Sequence, residues 1–163
     1  SESDIPVQKY FDVRIKCPKL PSNFPVGKMG IGVISDKGYL SYRAGQYVDG
    51  WVESTSRSFG TFVLMVDSIP PVITPLDFNQ NKVITKYNTL ELTIEDNLSG
   101  VWKYKAFINE AWVLMYYHRK KSKYVIPLDS RSRPLLKSGD NKVRIWSVDG
   151  EGNESEKVWT IVY

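Results

Sequence analysis

The sequence predicts an all-β chain built as two β-sandwich modules in tandem. Three observations carry this reading. Apolar and polar residues alternate with a period of two in run after run. Turn signals separate the runs at roughly 8–12-residue spacing, and no window of about 11 residues shows helical spacing. Aromatic residues make up 13% of the 163, with 5 Trp and 10 Tyr, and sheets favour aromatic and β-branched side chains.

The first strand is predicted over Lys9 to Cys17, where Phe11, Val13, Ile15 and Cys17 alternate with Tyr10, Asp12, Arg14 and Lys16. Pro18, Pro21 and Pro25 then exclude a central strand. Short runs follow at Gly30 to Ser35, Tyr39 to Arg43 and Gln46 to Ser54, the last interrupted by Asp49-Gly50, and a longer one at Ser58 to Asp67. Two prolines, Pro70 and Pro71, stiffen the chain next. The boundary between modules is placed there, giving residues 1–68 and 69–163.

The second module begins with edge-like runs at Val72 to Thr74 and Lys82 to Lys86. In the next strand Leu90, Leu92 and Ile94 share one face. After the Asp96 to Gly100 turn, Trp102, Tyr104, Ala106 and Ile108 are expected to line the core. Asn109-Glu110-Ala111 connects to a strand at Trp112 to Tyr117, and the basic turn His118 to Ser122 leads into Lys123 to Leu128. A polar loop, Asp129 to Asp140, precedes the last strands at Asn141 to Asp149 and Lys157 to Tyr163. About seven strands in about 90 residues is an immunoglobulin or fibronectin type III-like size. The first module has roughly five runs, below that number. With the polar opening Ser1-Glu2-Ser3-Asp4, which is no signal peptide, this leads us to expect an excised fragment, with a mature protein as the alternative.

Composition narrows function by exclusion. A net charge of +4, with Lys and Arg spread along the chain, is not the basic stripe that nucleic acid binding calls for. No apolar run nears the ~20 residues of a membrane-spanning helix. A single cysteine, Cys17, excludes an internal disulfide and reads as a small buried hydrophobe.

One stretch carries a resemblance. Asp96-Asn-Leu-Ser-Gly100, Tyr104, Ile108, Ala111-Trp-Val-Leu114 and Tyr117 resemble the C-terminal region of secreted Gram-negative bacterial proteins that carry an upstream lysostaphin-like zinc endopeptidase domain. Ser58-Phe-Gly-Thr-Phe62, Asp67-Ser-Ile-Pro-Pro71, Val148-Asp149 and Gly152-Asn153 extend the similarity from about Met29 to the end. The chain departs from that pattern at Ile108-Asn-Glu110, where the family often has Ile-Asp-Gly, and at Tyr116-Tyr-His118, where it often has Glu-Tyr-Asp. The resemblance implies an accessory region rather than the peptidase. A zinc hydrolase needs about three His, Asp or Glu ligands around an open position. His118 is the only histidine, and none of the family's zinc-binding histidines has a counterpart here.

Three groups of residues remain as candidates. His118 stands beside Arg119-Lys120-Lys121, which disfavour a further charge on it, so a turn residue is the better reading than a general base. Calcium is a second expectation. In an immunoglobulin-like sandwich the loops at Glu95 to Gly100 and Asp149 to Glu154 share one end, gathering Asp96, Asn97, Asp149, Glu151 and Asn153 as oxygen ligands. Turns use the same residue types without any metal.

The third group is an aromatic surface. Trp146 and Trp159, with Lys103 and Lys105, are expected on an outer face that either binds a ligand such as a glycan or packs on another domain. The resulting expectation is a non-catalytic accessory region, secreted or at the cell envelope, that spaces, docks or targets a peptidoglycan-processing zinc peptidase. The alternative is a glycan- or surface-binding adhesin-type module with no peptidase attached. Its partners would be the upstream domain of the same protein and peptidoglycan or a surface glycan.

Overall fold

The computed structural model describes residues 9–84 and 89–163, and every observed element is a strand, a turn or a short 3-10 turn. The chain is all-β. It forms two compact units. The first runs to Ile69 and takes in Gly150–Gly152; the second is Pro70–Asp149 with Asn153–Tyr163. The polar opening at residues 1–4 lies outside the described residues, as does the end of the run predicted at Lys82 to Lys86. Among the described residues no helix is long and apolar enough to cross a membrane.

Among the described residues the first unit holds six strands in two antiparallel sheets. One has the order β1 (Phe11–Lys16), β5 (Trp51–Ser56), β4 (Gln46–Val48); the other has β3 (Leu40–Ala44), β2 (Met29–Ile34), β6 (Thr61–Val66). The alternation in β1 does what period two dictates, with Phe11, Val13 and Ile15 turned inward and Asp12, Arg14 and Lys16 exposed. Met29 and Ile31 of one sheet meet Val52 of the other, and Val13, Ile15, Leu64 and Val66 pack around them. Asp49 (φ 46°) and Gly50 (φ 81°) make the two-residue reversal between β4 and β5, a turn that needs positive φ at both positions.

The second unit is a sandwich of a four-stranded and a five-stranded sheet. The first has the order β12 (Tyr116–His118), β13 (Lys123–Pro127), β9 (Thr89–Glu95), β7 (Val72–Pro75). The second has β11 (Ala111–Val113), β10 (Val101–Ile108), β14 (Asp140–Asp149), β15 (Glu154–Val162), β8 (Lys82–Val83), with β8 parallel to β15. Lettering β7, β9, β10, β13, β14 and β15 as A, B, C, E, F and G, with β12 as D, reproduces the immunoglobulin arrangement of an ABED sheet on a CFG sheet.

Both sheets supply the core between them. Leu90, Leu92 and Ile126 come from one side; Ala106, Ile108, Val143, Ile145 and Ile161 come from the other, all fully buried. Each buried Leu or Ile contributes roughly 1.5–3 kcal/mol of transfer free energy.

Three predicted features are corrected. Trp102 is not core: it is 62% exposed. Val101 pairs with Asp149 and Lys103 with Val148, so Trp102 is an extra residue in a β-bulge, which breaks the alternation and turns its ring outward. The single strand predicted at Trp112 to Tyr117 is two short strands in different sheets. Leu114 and Met115 carry the chain across, with Met115 buried at the crossing. Trp159 does not share an outer face with Trp146. It pairs with the inward Val143, packs on the core, and meets Phe78 edge-on at 5.4 Å.

Candidate functional site

The outer face of β10 and β14 is where rings and cations collect, Trp102 exposed and Phe107 and Trp146 half-buried. Along β10, Tyr104, Ala106 and Ile108 point inward, which leaves Lys103, Lys105 and Phe107 outside. Cross-strand register sets Lys105 opposite Trp146 and Phe107 opposite Arg144. Each cation sits over a ring: Lys105 is 5.4 Å from the Trp146 ring centre, Arg144 is 4.0 Å from Phe107, and Lys103 is 3.5 Å from the bulged Trp102. Such pairs are worth about 0.5–1 kcal/mol at exposed positions.

The cations differ in what else they hold. Arg144 donates to Glu156 at 3.1 Å and to Glu110 at 2.9 Å; the hydrogen bond to Glu156, then Glu110, raises its guanidinium pKa. The Trp146 indole N–H donates to Glu154 at 3.0 Å. Lys103 and Lys105 have no carboxylate within ion-pair distance among the described residues. Of the four residues expected at an aromatic ligand surface, Trp146, Lys103 and Lys105 lie together on this face and Trp159 lies on the opposite one.

Sequence reasoning missed a second feature at the edge of the same sheet. A recess of about 120 Å³ opens between β11 and the connection from β13 to β14. Its lining is apolar at Trp112, Val113, Leu114 and Pro127 and polar at Asp129, Arg131 and Ser132, called the rim below. The rim is internally ordered. Arg131 grips Asp129 through Nη2 at 2.8 Å and Nε at 3.3 Å, and that hydrogen bonding lowers Asp129 to about 2. The carboxylate also accepts from the backbone N–H of Arg131 at 2.9 Å, and the amide of Asp129 donates to the Ser132 hydroxyl at 3.1 Å.

The residues expected to hold calcium divide. Asp96 and Asp149 each bring a carboxylate oxygen within 4.8 Å of the other. Asp96 accepts from the amides of Leu98 at 3.1 Å and Gly100 at 2.7 Å, which closes the β9–β10 turn. Asp149 is buried and accepts from the Asn153 amide at 2.8 Å and its side-chain N–H at 2.7 Å. Asn97 is exposed. Glu151 falls in the first unit, where it accepts from the Tyr42 hydroxyl at 2.8 Å. A hard cation in the second unit would therefore draw on Asp96 and Asp149, whose oxygens already serve the two turns.

His118 ends β12 opposite Lys123, half-buried, and the register of β13 on β9 sets the basic turn beyond the C-terminal end of β9.

A family model described as a Zu5-like domain matches residues 1–67. No curated protein matches the sequence. Among solved structures, the fibronectin(III)-like modules of Clostridium thermocellum CbhA are similar at 10% identity and a TM-score of 0.41, over 93% of this chain and 84% of that one. The Clostridium perfringens spore cortex lytic enzyme SleM is similar at 17% identity and a TM-score of 0.37, over 90% of this chain and 43% of that enzyme.

Proposed function

We propose that this chain is a non-catalytic accessory region of a secreted or envelope-attached bacterial protein, and that it docks its parent on cell-envelope glycan. The observation that supports this most is the outer face of β10 and β14. There Trp102 and Trp146 stand beside Lys103 and Lys105, two cations that no carboxylate pairs among the described residues. Ring faces stack on sugar C–H surfaces, and unpaired lysines suit a polymer bearing carboxylates, as peptidoglycan does on its peptide stems. The sequence resemblance extends the reading to a parent that is a peptidoglycan-processing zinc peptidase with its catalytic domain upstream.

The test is co-sedimentation with purified peptidoglycan sacculi. The intact chain is expected to pellet with sacculi, and Lys103→Glu with Lys105→Glu to reduce the pelleted fraction. A chain that stays in the supernatant would overturn the reading. The alternative, an adhesin-type module with no peptidase, draws on the same face. The two part on the gene sequence upstream of Ser1, which encodes a zinc endopeptidase domain under the first reading only.

A further inference from the structure

We infer that the recess beside β11 takes the acetamido group of an N-acetylated hexosamine whose ring stacks on Trp112. The inference rests on the glycan-docking reading above and names a sugar class and a site within it. Its first ground is size. At about 120 Å³ the recess is far below the roughly 300–1,000 Å³ of a pocket that engulfs a drug-sized ligand. It suits one substituent, with the rest of the ligand outside.

The second ground is lining. Val113, Leu114 and Pro127 make part of the lining apolar, which suits a methyl group. The polar groups at the rim are mostly committed: the Asp129 carboxylate to Arg131 and the Ser132 hydroxyl to Pro127. Arg131 uses Nε and Nη2 on Asp129, so part of its five-donor fork remains, and its side chain is 72% exposed. What the rim offers is a hydrogen-bond donor, which an amide carbonyl accepts.

The third ground is charge and aromatic surface. Asp129 and Arg131 cancel, which favours a neutral group over a carboxylate. Trp112 is 62% exposed, and among the described residues neither a ring nor a cation covers it. Trp112 lines the recess and is otherwise open to solvent. A methyl on the apolar lining, a carbonyl on Arg131 and a pyranose face on Trp112 use every free feature of the site. An apolar side chain from a protein partner would cover the apolar lining and leave the Arg131 donors unused.

The experiment is calorimetric titration of the whole chain with tetra-N-acetylchitotetraose and with cellotetraose, which carries hydroxyls in place of the acetamido groups. Binding of the acetylated oligomer is expected to be about tenfold tighter or more. Trp112→Ala should abolish it. Leu114→Trp, which fills the recess, should remove the preference. Tyr39→Ala, an exposed ring in the first unit, should leave it unchanged, and circular dichroism melts check that each variant is folded. Equal binding of the two oligomers, binding that survives Trp112→Ala, or no binding would each overturn the inference. Sacculi that still pellet the chain while chitotetraose fails would sink the recess alone, whereas failure of both assays would sink the docking reading as well.

Discussion

The side-chain amide of Asn109 donates to the side-chain oxygen of Asn141 at 2.7 Å, tying the β10–β11 turn to the start of β14. Asn141 is 1% exposed and fully satisfied. Its oxygen also accepts from the Lys137 amide at 2.7 Å, and its amide donates to the carbonyls of Lys137 and Gly139, both at 2.8 Å. Removing a buried hub of this kind leaves several groups unpaired at roughly 1–3 kcal/mol each. Asn141→Ala is expected to lower stability by roughly 3–5 kcal/mol in urea denaturation. Asn141→Asp keeps both acceptor contacts but turns a buried carboxylate oxygen toward the carbonyls of Lys137 and Gly139, and should cost at least as much as alanine. A loss below ~1 kcal/mol for the alanine variant would show that the hub is not structural.

Tyr124 sits among aromatic neighbours, with the Tyr104 ring centre at 4.7 Å and Tyr117 at 4.9 Å. Burial first, then these two phenols, push it up to about 12. In the unfolded chain it ionises near its ordinary 10. Between those values the unfolded state sheds a proton that the folded state keeps. Stability therefore falls as pH rises through this window, by up to ~1.4 kcal/mol per pH unit, and the effect is absent below about pH 10. Among the described residues no hydrogen bond to its hydroxyl is present, so Tyr124→Phe should fold as well at neutral pH. The measurement is urea denaturation at about pH 9 and about pH 11, with a smaller drop expected for the variant.

The parts of this fold legible in the sequence are those that local alternation decides. Leu90, Leu92 and Ile94 read as one buried face and are one. What alternation could not reveal is where its phase breaks. Nothing in Val101-Trp-Lys103 marks the bulge, which depends on the pairing of β10 with β14, so Trp102 looked like core and is exposed. Register likewise separates Trp146 from Trp159: counting along β15 from the turn after Asp149 sets Trp159 against the inward Val143. The recess rim was invisible for another reason. Asp129 and Arg131 read as generic loop polarity, and only tertiary folding brings them to Trp112.

Asp96 offers a test of the calcium proposal. Its carboxylate holds two turn amides and comes within 4.8 Å of an Asp149 oxygen, a like-charge approach that a bound cation would offset. Asp96→Asn keeps an oxygen for both amides and removes one charge. In chelator, the variant is expected to melt above the native chain, by roughly 2–4 °C for each 1 kcal/mol of relief. Millimolar calcium should then raise the native chain's Tm more than the variant's. If calcium and chelator give the native chain the same Tm, no calcium is held at this end.

Gly30 tests the packing of the first unit. It lies in β2, paired with Ala44 of β3 and buried, with the Tyr42 ring laid over it. A Cβ here would press on the carbonyl oxygen of Arg43 and stand 2.5 Å from the Tyr42 ring carbon Cζ. The ring can swing, but the carbonyl belongs to the β3 backbone, so relief means moving a strand. Gly30→Ala is expected to cost about 1–3 kcal/mol, the range for overpacking a filled interior. Gly27 is the control: a Cβ there meets nothing within 4 Å, and Gly27→Ala should stay within about 0.5 kcal/mol of the native chain. Urea denaturation of both variants decides it. Equal stabilities would mean that β3 yields freely, and faster amide exchange confined to β2 and β3 in Gly30→Ala would locate the strain where the geometry predicts.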